Sequence, residues 1–354
     1  MKAPKPTIRD VAVLAKVSPS TVSMILSQRS GVSFSQETVS QVLRAAEQLG
    51  YGGSYRTNHP PLYNTIAIIC PTITNPYYAD LIQSIEQAAN GKGYRTVIYT
   101  TYRDPQQESS ILNILQDLHV TGIVFTIPPQ MPQQAVEVSK SIPTVVIGDH
   151  TELINLNTVE LNNYMAGCLI ARHMLELGHR NIAFISTTLD GYNTARTRRL
   201  DGLQDTFCKE CPEGTVLVKS RDITPEDDLH CLHIEHTVGF ELTRECLEDT
   251  RLTAFVAVND MVAYGVADAL LSAGFRIPED YSVCGFDNLL TSQLHTVSLT
   301  SVEHHIADKG HSVFDMLCAK IADDAGTSEV ITRVEYQPKL IVRQSTAPAR
   351  PVPL

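Results

Sequence analysis

The sequence contains no tryptophan, few aromatic residues and no long apolar run. Phe and Tyr together make up 6% of the 354 residues. The longest apolar stretches, such as Thr65–Cys70, are much shorter than the roughly 18–20 residues of a membrane-spanning helix and are typical of buried strands. The N-terminus is polar and lacks the apolar segment of a secretory signal. We therefore expect a cytoplasmic protein that does not enter a membrane.

Motifs of catalysis and of metal binding are also missing. The sequence holds no nucleophile-elbow pattern, and Pro71–Pro76, which follows the first predicted strand, has no glycine to form a phosphate-binding loop. Eight cysteines are scattered along the chain, and Cys208 and Cys211 with the later segment His230–His236 fit no common zinc spacing. We therefore expect a protein that is not an enzyme and that holds neither a metal nor a cofactor.

Charge is distributed unevenly between the two ends of the chain. The net charge is −11 at pH 7, yet the first 56 residues carry a balance of +4 and the other 298 a balance of −15. A small basic segment on a large acidic one can bind a polyanion at one end, while the acidic part repels it.

The first fifty residues show the pattern of three short helices. Thr7 can begin the first helix, because Asp10 three positions later completes a capping box. Ser18 can begin the second helix, since Pro19 suits a first helical position. Ser35 can begin the third. The second helix presents small polar residues outward, which predicts a helix-turn-helix that fits a major groove, with Arg29 adding charge near the backbone. The alternative is a three-helix packing module with a solvated hydroxyl face.

From residue 65 onward the sequence alternates between apolar runs and amphipathic stretches. This βαβ pattern predicts parallel strands with helices on both faces, and ligands bind such folds beyond the carboxyl ends of the strands. The predicted strands are Ile66–Cys70, Thr96–Thr100, Gly122–Ile127, Thr144–Gly148, Ile182–Ser186, Ala254–Val258 and Ser282–Phe286, and the predicted helices include Tyr78–Ala89, Ser110–Leu118, Ala166–Leu177 and Met261–Ala273.

Polar and aromatic side chains follow several of these strands. Asp149, Asn259 and Asp287 supply hydrogen-bond acceptors, Arg199 supplies a rigid donor, and the rings of Tyr77 and Tyr78 offer flat faces. These groups suit a polyhydroxyl ligand. The alternative for Asp or Asn after a strand is that it caps the next helix.

Two N-terminal segments, TIRDVAVLAKVSPSTVSMILS and GVSFSQETVSQVLRAAEQLGY, resemble the DNA-binding head of the LacI/GalR family of bacterial repressors. The resemblance implies a recognition helix over Pro19–Ser27. It places Thr7, Ser18, Thr21 and Ser23 at phosphates or in the groove. It places Ile8, Ser20 and Met24 at the bases. With Arg29, the residues we expect at the DNA are Thr7, Ile8, Ser18, Pro19, Ser20, Thr21, Ser23, Met24 and Ser27.

The head departs from the family pattern in two places. The family commonly has Arg where this chain has Met24, and Met offers only apolar contact, for instance to a thymine methyl group, so we expect a different operator at that position. The connector, residues 52–64, contains paired glycines and paired prolines, which disfavour the helix usual there. We expect an atypical, linker-like hinge.

The body resembles the effector-binding part of the same family. The segments that carry this resemblance are TIAIICPTITNPYYADLIQSIEQAANGKGY, RHMLELGHRNIAFIS, RRLDGL, AVNDMVAYGVADALLSAGFRIPEDYSVCGFDN and PKLIVRQST. It implies two lobes like those of periplasmic binding proteins, with Arg199 in an effector-contacting loop and further contacts at Asn259 and Asp287. The full effector-binding set that we expect is Tyr77, Tyr78, Asp149, Leu161, Arg199, Asn259 and Asp287.

These observations predict a small all-α helix-turn-helix head on an α/β two-lobed body. We expect a head over 1–51, a linker over 52–64, a body over 65–346 and a tail over 347–354. The first lobe would comprise about 65–162 plus 300–324, and the second about 163–299 plus 325–346.

The predicted function is a ligand-controlled transcriptional regulator, most often a repressor in this family. Two heads on a homodimer would read a near-palindromic double-stranded operator, and no long helix beyond the last strand favours a dimer over a tetramer. A sugar between the lobes is the expected effector. The alternatives are a purine or phosphorylated carrier-protein corepressor, or a cytoplasmic sugar-binding protein whose head only mediates assembly.

Overall fold

The computed structural model describes residues 6–26, 34–49, 64–149, 155–296, 298–322 and 330–351. The chain divides into two units, Met1–Leu62 and Tyr63–Leu354, which we call the head and the body. Among the described residues, no helix has both the length and the apolar character that crossing a membrane requires.

The head contains the three predicted helices, α1 (Ile8–Ala15), α2 (Pro19–Leu26) and α3 (Gln36–Gln48). Both the backbone N–H and the Oγ1 of Thr7 donate to Asp10 Oδ2 at 2.7 Å, which fixes the start of α1. The three helices pack through small aliphatic side chains because their apolar residues recur at helical spacing. The buried set is Val11, Ala12, Ala15, Val22, Ile25, Val42, Ala45 and Ala46.

The body contains twelve strands among the described residues. They are β1 (Thr65–Cys70), β2 (Arg95–Thr100), β3 (Gly122–Phe125), β4 (Thr144–Ile147), β5 (Asn157–Leu161), β6 (Asn181–Thr187), β7 (Thr215–Arg221), β8 (Ala254–Ala257), β9 (Ser282–Asp287), β10 (Thr300–Glu303), β11 (Arg333–Tyr336) and β12 (Lys339–Ile341). All seven predicted strands are present, with ends shifted by one or two residues, and β12 lies within the segment PKLIVRQST.

Helices connect these strands. They are α4 (Pro76–Gly91), α5 (Pro105–Leu118), α6 (Pro132–Ser139), α7 (Asn163–Glu176), α8 (Thr194–Glu210), α9 (Pro225–His230), α10 (Ile234–Cys246), α11 (Asp260–Ser272), α12 (Leu290–Gln293) and α13 (Ile306–Ala322). The four predicted helices correspond to α4, α5, α7 and α11.

The strands form two six-stranded sheets, one in each lobe. The first has the order β11-β5-β4-β3-β1-β2 and is parallel throughout, and the second has the order β12-β10-β9-β8-β6-β7. Only β12 in the second sheet runs antiparallel to its neighbour. The central strands of both sheets are buried, so each lobe has its own apolar core.

The chain crosses between the lobes three times, and two of the crossings differ from the predicted ones. Strand β10 belongs to the second sheet, so residues 300–303 are not part of the first lobe as predicted. Strand β11 belongs to the first sheet, although 325–346 was predicted in the second lobe. Both strands have only four residues, and β11 is a partly exposed edge strand, so neither carries a strong apolar pattern.

Candidate functional site

The first candidate surface is the start of α2 in the head. The Thr21 backbone N–H donates to Ser18 Oγ at 3.0 Å, which confirms Ser18 as the cap of this helix. The same oxygen lies 2.7 Å from Ser20 Oγ and 2.8 Å from Thr21 Oγ1, so the hydroxyls form one connected cluster. Ser18, Pro19 and Ser20 are exposed. A cluster of accessible hydroxyls at a helix N-terminus can donate to phosphate oxygens.

The other predicted DNA-contacting residues are distributed around this cluster. Thr7 is exposed beside the α1 N-terminus, whereas Ile8 is half-buried and packs against the head core. Ser23 and Met24 are half-buried on α2. Ser27, Arg29 and all of the predicted linker except its last residue lie outside the described residues.

The second candidate site is a cleft between the two lobes of the body. Six of the seven predicted effector residues line one cavity of about 100 Å³. They come from the carboxyl ends of strands and the helices that follow, as expected for ligand sites in parallel sheets. These six residues are Tyr77, Tyr78, Leu161, Arg199, Asn259 and Asp287.

Arg199 lies within α8 and not in the loop that the resemblance implied. Its side chain is 6% exposed and donates to the Val258 carbonyl at 2.7 Å and to Asn163 Oδ1 at 2.9 Å. The guanidinium also lies 4.6 Å from the centre of the Phe286 ring, within the range of a cation–π contact. These contacts hold the arginine in one orientation at the cleft wall.

Asp149, the seventh predicted residue, is buried behind the cleft. One of its carboxylate oxygens accepts from Asn163 Nδ2 at 2.9 Å, and the other has no hydrogen-bond partner among the described residues. Burial raises the pKa of Asp149. Asn163 Oδ1 also accepts from Arg199, so the Asn163 amide connects Asp149 to the arginine of the cleft.

Asn259 and Asp287 reach the cleft from the second lobe. The Asn259 side chain accepts from the Val262 backbone N–H at 2.9 Å, so it caps α11 and lines the cleft at once. Asp287 has a φ of 110°, a left-handed backbone that is unusual for an aspartate at the end of a strand. Burial raises the pKa of Asp287 well above its usual range. Both groups can therefore hydrogen-bond a ligand hydroxyl.

The two tyrosines at the start of α4 form the aromatic wall of the cleft. The rings of Tyr77 and Tyr78 meet edge to face, with centroids 5.1 Å apart. Tyr77 also meets the His304 ring edge to face at 4.9 Å. Tyr78 is 8% exposed, and its hydroxyl accepts from Arg103 at 3.2 Å.

A group of hydrogen bonds joins the lobes at the edge of the cleft. Arg103 in the first lobe binds Asp228 in the second at 2.8 Å, and both side chains are largely buried. Asn75 in the first lobe donates to Glu235 in the second at 2.6 Å. We call these four residues the interlobe latch. With the latch formed, the cavity is smaller than the roughly 300 Å³ at the low end of small-molecule sites.

Several cleft residues were missed by the sequence analysis. His304 follows β10 directly, so a prediction of that strand would have marked it in the same way as Asn259, which follows β8. Lys309 lies inside α13, where no local signal marks it. The missed lining residues include Asn75, Asn163, Arg196, Glu235, His304 and Lys309.

Comparison with known proteins defines the class of this chain. The profile of bacterial regulatory proteins of the lacI family matches residues 7–54, and that of a periplasmic binding protein-like domain matches residues 171–346. The chain belongs to the lacI family of DNA-binding transcriptional regulators and is not an enzyme.

Two relatives of similar length support this assignment. The transcriptional regulator DegA of Bacillus subtilis is 29% identical over 350 residues, which cover 97% of this chain and 99% of DegA. The transcriptional repressor PurR of Haemophilus influenzae (strain Rd) is 28% identical and covers 96% and 98%.

Among solved structures, a LacI-family regulator from Silicibacter pomeroyi has a TM-score of 0.68 at 23% identity and covers 96% of this chain and 99% of its own. The CelR–cellobiose complex has a TM-score of 0.66 at 24% identity, with coverage of 96% and 99%. A ribose-bound regulator from Enterococcus faecium has a TM-score of 0.67 at 21% identity, with coverage of 81% and 100%. At these identities the structures show the shared fold.

Proposed function

We propose that this protein is a cytoplasmic transcriptional repressor whose operator binding is controlled by a small hydroxylated effector bound between the lobes. The observation that carries the proposal is the convergence of Arg199, Asn259 and Asp287 with an aromatic wall in one interlobe cleft. Fixed donors, acceptors and flat ring faces are the groups that recognise sugar hydroxyls and sugar rings. Similar proteins solved with cellobiose and with ribose support a sugar-like ligand.

The DNA-binding part of the proposal rests on α2. The hydroxyl cluster around Ser18 would contact phosphates, while Ser20 and Met24 would face base edges. One such head buries too little surface for tight specific binding, so we infer a homodimer on a two-fold operator. Multi-angle light scattering of the purified protein tests the dimer, and a mass of 39.0 kDa in solution at micromolar concentration would contradict it.

A gel shift tests the function as a whole. The full chain is mixed with its own upstream genomic fragment at low salt, with and without each candidate sugar and with purine bases as the alternative corepressors. We expect binding of the fragment and a change of about 5–150-fold in affinity when the effector is present. Failure to bind the fragment would overturn the proposal. If a purine base tightens binding of the fragment, the effector is a purine corepressor and not a sugar.

A further inference from the structure

Three basic side chains meet at one wall of the cleft. His304 Nε2 lies 2.8 Å from Arg199 Nη2, and His304 Nδ1 lies 3.1 Å from Lys309 Nζ. The three residues are 6%, 5% and 1% exposed in the order Arg199, His304 and Lys309. All three line the cavity, so these donors face the position of a ligand.

The hydrogen bonds of this cluster cannot all be satisfied when both neighbours are charged. A neutral imidazole has one donor and one acceptor nitrogen, and arginine only donates. Nε2 of His304 therefore accepts from Arg199, and the proton on Nδ1 faces Lys309. An ammonium group has no acceptor, so the contact with Nδ1 requires the neutral amine of Lys309.

The surroundings of Lys309 favour that neutral form. Burial, and then the charge of Arg199, lower the pKa of Lys309 to about 7. Burial also lowers the pKa of His304 well below its usual range. The other charged groups that face Lys309 are Asp149 after β4, Glu160 on β5 and Asp287 at the end of β9, which raise its pKa less.

Arg199 and Lys309 also lack a close counter-ion. Neither has a carboxylate oxygen within 4.0 Å among the described residues, and their hydrogen-bond partners are all neutral groups. Two other arginines near the cleft differ, because Arg103 binds Asp228 and Arg196 binds Glu235. Two buried basic side chains around one imidazole are therefore available to an anion from outside the chain.

We propose that Arg199 and Lys309 bind an anionic group of the effector, a carboxylate or a phosphate, while Asn259 and Asp287 bind its hydroxyls. The ligand class is then an acidic sugar derivative, either a sugar acid or a sugar phosphate. This inference rests on the proposed function, since it names the ligand of the same cleft.

Ligand binding of this kind takes up a proton. The ligand anion replaces His304 as the partner of Lys309 and favours the ammonium form. Affinity for the acid therefore decreases as pH rises above about 7, by at most tenfold per pH unit. Titration calorimetry in two buffers of different ionisation enthalpy measures the uptake directly.

The experiment compares each acid with its neutral parent on the full chain. The pairs are D-gluconate with D-glucose, D-galacturonate with D-galactose, D-glucose 6-phosphate with D-glucose and D-ribose 5-phosphate with D-ribose. We expect at least one acid to raise the melting temperature more than its parent, and the responding pair separates carboxylate from phosphate. If no acid exceeds its neutral parent, the inference is overturned.

Variants of Lys309 assign the effect to this side chain. Lys309→Met should weaken binding of the responding acid by about 30-fold or more, with a much smaller effect on its neutral parent, because the charge partner is lost. Lys309→Arg keeps a cation and should retain part of the preference. Lys209→Met, the same change at an exposed position of α8, is the matched control. Equal affinities of wild type and both Lys309 variants for the acid would overturn the inference.

The two proposals fail in different measurements. Binding of the upstream fragment, measured without any sugar, reports the proposed function. If the protein binds that fragment but prefers neutral sugars over acids, only the present inference is wrong. The melting curve without ligand shows whether Lys309→Met folds. If it does not, three measurements still test the inference: the acid and parent pairs on the wild-type protein, the binding by Lys309→Arg, and the proton uptake.

Discussion

A Cβ atom on Gly167 would lie 2.1 Å from the carbonyl oxygen of Arg199, so the backbones of α7 and α8 are in direct contact at these two residues. The contact is reciprocal, because a Cβ on Gly202 of α8 would lie 2.0 Å from the Tyr164 carbonyl oxygen on α7. Any larger residue must push the helices apart. The position of the Arg199 guanidinium in the cleft thus depends on a glycine one helix away.

Substitution of this glycine should affect both stability and effector binding. Gly167→Ala should lower the free energy of unfolding by about 1–3 kcal/mol, since the methyl group overpacks a close backbone contact. It should also weaken binding of the effector by moving Arg199. Denaturant unfolding and calorimetry measure the two effects. Gly91→Ala is the control, because a Cβ there meets nothing within 4 Å, and a similar loss in both variants would contradict the explanation.

The interlobe latch should show energetic coupling across the cleft. We expect a double-mutant cycle of Arg103→Gln and Asp228→Asn to give a coupling energy of about 0.5–3 kcal/mol, because the pair is largely buried. Either variant should also increase the radius of gyration in small-angle scattering as the lobes separate. The exposed pair Lys92–Asp315 is the control and should couple by less than about 1 kcal/mol. Equal coupling in both pairs would show that the latch does not hold the lobes.

The buried histidine His179 should make stability depend on pH. Its ring lies 2.8 Å from Thr253 Oγ1 and 3.0 Å from Ser282 Oγ, and burial lowers its pKa to about 4. The unfolded chain binds the proton more readily, so this contribution to stability is complete above about pH 6.5 and is lost as pH falls towards 4. The loss attributable to this histidine is at most about 3 kcal/mol.

Comparison of variants isolates that contribution from those of the carboxyl groups. His179→Gln should be less stable than wild type at pH 8, but the difference should shrink as the pH approaches 4.5. His295→Gln, the same change at an exposed position, is the matched control and should alter the free energy of unfolding by no more than about 0.5 kcal/mol. A constant difference between wild type and His179→Gln across this range would show that the histidine does not titrate as expected.

The operator preference should change with residue 24. Selection on random DNA should recover half-sites in which the contacted base is not guanine, because methionine offers no bidentate donor. Met24→Arg should shift that position towards guanine, with a discrimination of about 1–3 kcal/mol. Leu290→Arg adds the same charge at an exposed position of the body and should leave the base preference of the half-site unchanged. Recovery of the same half-site by wild type and Met24→Arg would contradict this role.

Local patterns predicted most of the secondary structure and much of the cleft, while tertiary connections were harder to predict. Apolar runs identified the central strands because those strands are buried on both faces, and strand ends led to Asn259 and Asp287. Asn259 also shows that the two interpretations of a residue after a strand are compatible, since it caps α11 while lining the cavity. The position of Asp or Asn directly after a strand is therefore compatible with both helix capping and ligand binding.

The cluster of Arg199, His304 and Lys309 shows where local reasoning ends. His304 lies at a crossing between lobes, and although Lys309 follows it closely in α13, Arg199 comes from α8, 105 residues earlier in the sequence. Lys309 looks like an ordinary surface residue of an amphipathic helix, yet it is 1% exposed. Its burial follows from the position of α13 against the first sheet, which no spacing within the helix reveals.

The second and third crossings between the lobes are attached to each other. His305 Nε2 lies 3.1 Å from the Gln337 carbonyl oxygen, and the His305 ring stacks on Tyr336 with centroids 5.4 Å apart. Two adjoining, bonded segments bend together more easily than they slide past one another. A change in the angle between the lobes must therefore bend both segments together, whatever the shape of the ligand.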